Sequence, residues 1–201
     1  MANDDFPRGL IPYNHRNGNG LKLTVYEAQS GTATGPMFIG QPVRLVAAGV
    51  VENAPEVGGT GTAYLGIAYG FLGENYGPPS LPFNDTGGTT KRYVIVADEP
   101  SQEFLVQEDT GGTALANLDR GATCDLIYRS VGSGNNTTGF ANLELDASSV
   151  VATNSGAVML IRYQDITNTD GTQNAAGDYA KWIVRITNHQ LRGQPIINTA
   201  V

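Results

Sequence analysis

Apolar and polar residues alternate with a period of two along most of the chain, in runs too short for helices. Residues 21–28 (LKLTVYEA) alternate, and residues 42–51 (PVRLVAAGVV) read as a strand passing into a turn at Gly49. Residues 62–72 (TAYLGIAYGFL) are apolar throughout, with glycines that mark a bend or a close backbone approach. Residues 92–97 (RYVIVA) and 103–108 (EFLVQE) flank a tight connection whose turn Pro100 fixes. In the second of these, Phe104 and Val106 face one way and Glu103, Leu105 and Gln107 the other, which predicts one face that is wet or meets a partner. Residues 125–129 (DLIYR), 141–145 (ANLEL) and 158–163 (VMLIRY) continue the pattern, and only 113–119 and 174–180 have room for a helical turn or two. About eight to ten short strands with almost no helix predict an all-β protein, an antiparallel β-barrel or a sandwich.

Two stretches break the alternation. Residues 1–20 are polar and turn-rich yet carry Phe6, Leu10, Ile11 and Tyr13 without any period. They read as an extended N-terminal arm, docked either on another molecule or on its own domain. Residues 73–90 (GENYGPPSLPFNDTGGTT) hold prolines and glycines that rule out regular structure, and a loop of this length is usually an excursion that touches a partner. The plan is then an arm (1–20), a single β domain (21–195) elaborated by the loop 73–90 and a hairpin 164–180, and a C-terminal tail (196–201).

The closing stretch, residues 181–193 (KWIVRITNHQLRG), holds the one tryptophan and one of the two histidines. Parity places Trp182, Val184, Ile186 and Asn188 on one face and Lys181, Ile183, Arg185, Thr187 and His189 on the other. Trp182 is therefore a core or interface residue, and it does not converge with His189 on a site.

Composition agrees with many turns and few helices. Gly makes up 26 of 201 residues and charged residues 15%, against about 7% and 25% in average proteins. The net charge of −7 opposes a protein that works by neutralising phosphates, so no direct nucleic-acid partner is expected. The single cysteine, Cys124, excludes an intrachain disulfide framework and reads as a small core residue. No run is long and apolar enough for a bilayer, and the first residues lack a secretion signal, so a soluble protein made in a reducing cytoplasm, with no membrane partner, is expected. The sequons at Asn84, Asn135 and Asn136 then mark polar loops only.

Candidate chemistry is sparse. His15 lies in the arm and His189 at a strand end, and no GxSxG, HExxH, Walker or GxGxxG pattern occurs in a fitting context. Paired acids for glycoside cleavage would have to come from Asp98–Glu99 or Glu108–Asp109, but neighbours on a strand point to opposite faces, and both pairs read as solvated turns. Residues 168–178 (NTDGTQNAAGD) have an Asp-Gly flavour without the alternating acids and closing Glu of a calcium loop, and read as a hairpin tip. No enzyme activity, metal or cofactor is expected.

Four segments in order carry a resemblance: residues 1–18 (MANDDFPRGLIPYNHRNG), 92–109 (RYVIVADEPSQEFLVQED), 137–150 (TTGFANLELDASSV) and 179–193 (YAKWIVRITNHQLRG). Together they are similar to tailed-bacteriophage capsid decoration (cement) proteins, encoded beside the major capsid protein. Residues 93–109 resemble that family's YVxxDDPxxxFxVQxD pattern, with one residue more between Val94 and Asp98 and with Glu99 in place of the second Asp, and residues 181–190 follow KWxVRInxHQ. The resemblance implies a β-barrel, β-tulip or jelly-roll-like sandwich with an extended arm. It implies a virion structural protein on the capsid exterior, with the major capsid protein and itself, as a homotrimer, for partners. Its arm residues Phe6, Leu10, Ile11 and Tyr13 would contact the shell, and Tyr76, Leu81, Phe83, Ile196 and Ile197 would make trimer contacts. Two rivals are a head-fibre or adhesin-type glycan-binding virion protein, with Tyr69, Tyr76 and Phe83 as stacking platforms, and a β-sandwich glycan hydrolase using Asp98 or Glu108.

Overall fold

The computed structural model describes residues 3–15, 18, 20–29, 35–54, 62–79, 81–84, 91–129, 133–152, 155–164, 167–168 and 171–192. In chain order the strands are β1 (Ile11–His15), β2 (Thr24–Glu27), β3 (Pro42–Leu45), β4 (Val51–Asn53), β5 (Gly66–Leu72), β6 (Tyr93–Ala97), β7 (Gln102–Gln107), β8 (Thr123–Tyr128), β9 (Leu143–Val151), β10 (Val158–Tyr163) and β11 (Lys181–Ile186). They form two antiparallel sheets, one in the order β1-β7-β11-β10-β8-β9 and one in the order β2-β6-β5-β3-β4. The six-stranded sheet curls until one parallel bridge, Glu108 to Leu145, ties the end of β7 to β9. The ladder does not close there, so the sandwich is found and the closed barrel is not.

Local chemistry explains the elements. Residues 43–53 make a hairpin of β3 on β4 that turns through Gly49, whose φ of 77° suits glycine. Pro100 sits second in a four-residue turn closed by Gln102 N–H to Glu99 O at 2.9 Å, and this corner carries the chain from β6 in one sheet to β7 in the other. The β10–β11 hairpin has a long tip, as its sequence predicts. The Asn174 side chain stitches its base, donating to Gln164 O at 2.5 Å and Lys181 O at 3.1 Å and accepting from Lys181 N at 2.9 Å. Of the two candidate helical stretches, 113–119 supplies one 3₁₀ turn (Asn117–Asp119), and 174–180 supplies only turns.

Two apolar cores result. The concave side of the six-stranded sheet buries Phe104, Val106, Leu126, Leu143, Leu145, Leu160, Trp182 and Val184, with Cys124 among them. Burial pushes the Cys124 thiol up to about 12, so it stays protonated as a core residue. The five-stranded sheet packs Val43, Leu65, Ala68, Phe71, Val94 and Val96 into a second core. Phe83 packs against both cores and stacks on Phe38 at 5.1 Å.

Candidate functional site

The N-terminal arm lies on its own domain. Leu10 is fully buried in the first core, and Ile11–His15 pair with β7 as an edge strand, with a register shift at Tyr13. Gly9 and Gly40 let the two backbones touch, for a Cβ on Gly9 would stand 2.4 Å from Gly40 O and one on Gly40 2.2 Å from Arg8 O. Both have positive φ, so no other residue fits either position without strain. Leu10 thus drops out as a shell contact because its own core consumes it. Ile11 is half-buried, while Phe6 and Tyr13 are exposed.

Upstream of Leu10 the arm is held by polar contacts. Asn3 donates to Ala175 O at 2.7 Å and Asp178 O at 2.9 Å and accepts from Ala175 N at 2.9 Å. Lys181 Nζ donates to Asp4 O at 2.6 Å, Tyr179 O at 3.1 Å and Gln107 Oε1 at 2.5 Å. Gln107 Oε1 also accepts from Phe6 N at 2.8 Å, and Gln107 Nε2 donates to Glu144 Oε1 at 2.6 Å and Asp5 Oδ1 at 3.2 Å. Asp5 pairs with Arg129, and the hydrogen bond from that guanidinium holds its carboxyl below the usual range. Burial lowers Lys181 to about 8 and raises Glu144. The polar side of β7 is therefore covered in part by the chain itself. Glu103 and Gln107 are buried, and beside Gln107 the arm and the base of the 164–180 tip do the covering. A cleft of about 490 Å³ opens beside this cluster, lined among others by Phe6, Arg8, Ile11, Leu105, Gln107 and Lys181.

The outer face of the five-stranded sheet is different in kind. On and just before edge strand β2, Leu21, Leu23 and Val25 alternate outward with 42%, 40% and 43% of their surface exposed. Val25 pairs with half-buried Ile95, which pairs in turn with Gly70 beside the exposed bulge residue Tyr69. Two residues along, Tyr93 stacks at 4.3 Å on Tyr76, itself 61% exposed. This row was missed from sequence. LKLTV announces a strand, but nothing local says that its apolar side faces outward while Thr24 and Tyr26 sit on the other. Leu81 is exposed, and Phe83 is half-buried, with its ring stacked on Phe38. Ile196 and Ile197 lie outside the described residues.

Trp182 and His189 stand apart. The Trp182 indole N–H donates to Glu108 Oε2 at 2.9 Å inside the curled sheet, and Tyr163 meets its ring edge-on at 5.3 Å. His189 is bridged to Tyr64, its Nδ1 accepts from Leu191 N at 3.1 Å, and burial lowers its pKa to about 4. The reading of both carboxylate pairs as solvated turns is corrected for one member of each. Glu108 is fully buried, accepting also from Leu115 N at 2.9 Å, and burial raises it to about 7; Asp98 is buried and accepts from the Tyr26 hydroxyl at 2.6 Å. Both acids are consumed by structure, and they lie beyond opposite ends of β7. Among the described residues no three His, Cys, Asp or Glu side chains are grouped to hold a metal. Compared with family models, curated proteins and solved structures, the chain matches none of them.

Proposed function

We propose that this chain is a non-enzymatic structural protein of a tailed-phage particle, which binds the outer surface of the expanded capsid as a trimer and reinforces it. The sequence resemblance supplies the setting. The observation that carries the proposal is the apolar row Leu21, Leu23 and Val25 along the β2 edge of the five-stranded sheet, extended by Ile95 and Tyr69; among the described residues β2 pairs with β6 alone, and a parallel bridge from Ala28 to Val51 follows it. An edge strand offers free backbone donors and acceptors, and proteins normally guard it with charge or proline. Lys22, on the opposite parity, reaches Glu99 at 3.2 Å, and the row ends on one charge, Glu27, which pairs with Lys91 at 3.0 Å. Such an edge suits strand addition or burial against a neighbouring protein. A protein that binds only the expanded shell stabilises it by mass action, multiplied over many copies. Phe6 and Tyr13 add exposed rings from the arm, and Tyr76, Leu81 and half-buried Phe83 are the described residues assigned to trimer contacts. The negative net charge suits a face turned away from packaged DNA.

Sedimentation of the purified protein with shells that lack it tests this. Binding is expected to expanded but not to unexpanded shells, and the double substitution Leu23→Lys/Val25→Lys is expected to weaken it at least about tenfold, or roughly 1.4 kcal/mol. Equal binding to both kinds of shell, or to neither, defeats the proposal. The exposed rings of Tyr69 and Tyr76 favour one second reading, a host-glycan-binding virion protein, which predicts saturable binding to surface glycans by the isolated protein.

A further inference from the structure

We propose that Lys181 and Gln107 become joined by an intramolecular isopeptide bond, Lys181 Nζ to Gln107 Cδ, formed by the folded protein itself with Glu144 moving the protons and one ammonia released. This inference stands independently of the capsid reading.

The reaction needs an amine against a carboxamide carbon, an acid at the departing nitrogen, a donor at the carbonyl oxygen and little water. The cluster beneath the arm supplies the first three, and burial of Gln107 and Glu144 limits water on the side away from the cleft. Lys181 and Gln107 are direct cross-strand partners on β11 and β7. Nζ lies 2.5 Å from Oε1, and since a C=O bond is about 1.23 Å long, Nζ stands within about 3.7 Å of Cδ. Glu144 Oε1 sits at the departing atom, 2.6 Å from Gln107 Nε2. The oxygen on which charge develops accepts the Phe6 backbone N–H at 2.8 Å. The carbonyls of Asp4 and Tyr179 steer the amine from behind. Gln107 and Glu144 are both buried. The amide orientation is fixed by its neighbours, two carboxylates on its nitrogen side and two N–H donors on its oxygen side.

Burial supports the same chemistry from both ends. It lowers Lys181 to about 8, which leaves part of the amine neutral near neutral pH, and it raises Glu144, which makes that carboxylate a better proton acceptor. The Lys181 ammonium gives a proton to Gln107 Oε1, which it already touches, as the freed lone pair attacks Gln107 Cδ and the carbonyl π pair moves to that oxygen. The attacking nitrogen, now on the same carbon as Nε2, gives its extra proton to Glu144, which passes it to Nε2; the carbonyl re-forms and the Cδ–Nε2 bond breaks with its electron pair leaving on ammonia. The new amide loses its extra proton to Glu144, and ammonia carries that proton out through the adjoining cleft as ammonium. The sum is ammonium side chain plus carboxamide giving amide plus ammonium ion, with no oxidant or cofactor. The product would lock two central strands whose linked residues are 74 apart in sequence.

Intact-mass measurement of the wild-type protein in denaturant, followed by tryptic mapping, tests the proposal. The expected mass is below that of the sequence by one ammonia. Trypsin should fail to cut after Lys181, and one branched peptide should join residues 93–120 to residues 163–185. Glu144→Gln and Lys181→Met should each show the full mass expected for their sequences. A wild-type protein of full sequence mass, cleaved after Lys181, overturns the proposal. So does an ammonia loss that persists in Lys181→Met, which would place it at another side chain. A bond that still forms in Glu144→Gln overturns the role given to that carboxylate.

Discussion

At the scale of single residues, the curled sheet is organised around one buried pair. Trp182 fills the interior, and its only polar atom is satisfied by Glu108, a carboxyl with no exposed surface. Truncation to Ala removes both packing and the indole donor, so Trp182→Ala is expected to cost roughly 3–5 kcal/mol in denaturant unfolding. A cost below about 1 kcal/mol would contradict its central place. Glu108 titrates near 7 when folded and 4.5 as its ordinary value, so between these values the folded form keeps a proton that the unfolded chain has lost. Stability attributable to Glu108 therefore falls as pH rises from about 4.5 to 7. His189 works in the opposite sense, since its pKa drops from 6.5 to about 4 and stability falls as pH drops through that window. The two partly cancel in the wild type. Glu108→Gln should remove one of them, and its stability relative to wild type should climb with pH across 4.5 to 7 by up to about 1.4 kcal/mol per unit. A pH-independent difference between the two proteins would show that Glu108 is not held protonated.

At the scale of elements, the arm is part of the sandwich rather than an appendage. It contributes edge strand β1, the core residue Leu10 and the Gly9–Gly40 contact. Deletion of residues 2–16 is expected to cost at least the burial of Leu10, about 2–5 kcal/mol, and to lower the thermal midpoint by roughly 5–15 °C. An unchanged midpoint would mean that the arm is not docked. Strands with dense β-branched alternation, such as RYVIVA, were legible from sequence, as were the turns at Gly49 and Pro100. The strand over IPYNH was not, because Pro12 and Asn14 weaken its period, and an edge position tolerates a proline that a central strand would reject. The strand begun by ANLEL runs on to Val151 through ASSVV, whose small polar residues conceal it. Burial of Gln107 and Glu108 was illegible for another reason. Their partners, Phe6, Lys181 and Trp182, are about 70 to 100 residues away in sequence, and no local pattern encodes such a meeting.

At the scale of the whole molecule, the sandwich buries Glu52, Asp98, Glu103, Glu108, Glu144 and both histidines and leaves a row of apolar side chains along one edge. Parity anticipated the separation of Trp182 from His189. The outward row on β2 emerged only once the two sheets were placed, because a strand seen alone does not say which of its faces a second layer will cover. That row, the exposed rings of Phe6, Tyr13 and Tyr76, and the negative net charge are what the capsid account draws together. The most direct test is a density map of the tailed-phage particle proposed to carry this chain. The account predicts trimers of this sandwich on the outer face of the expanded shell at three-fold positions, with Leu23 and Val25 buried against a neighbouring protein. Absence of the chain from the shell surface, or its placement on a fibre with the β2 edge facing solvent, would contradict it.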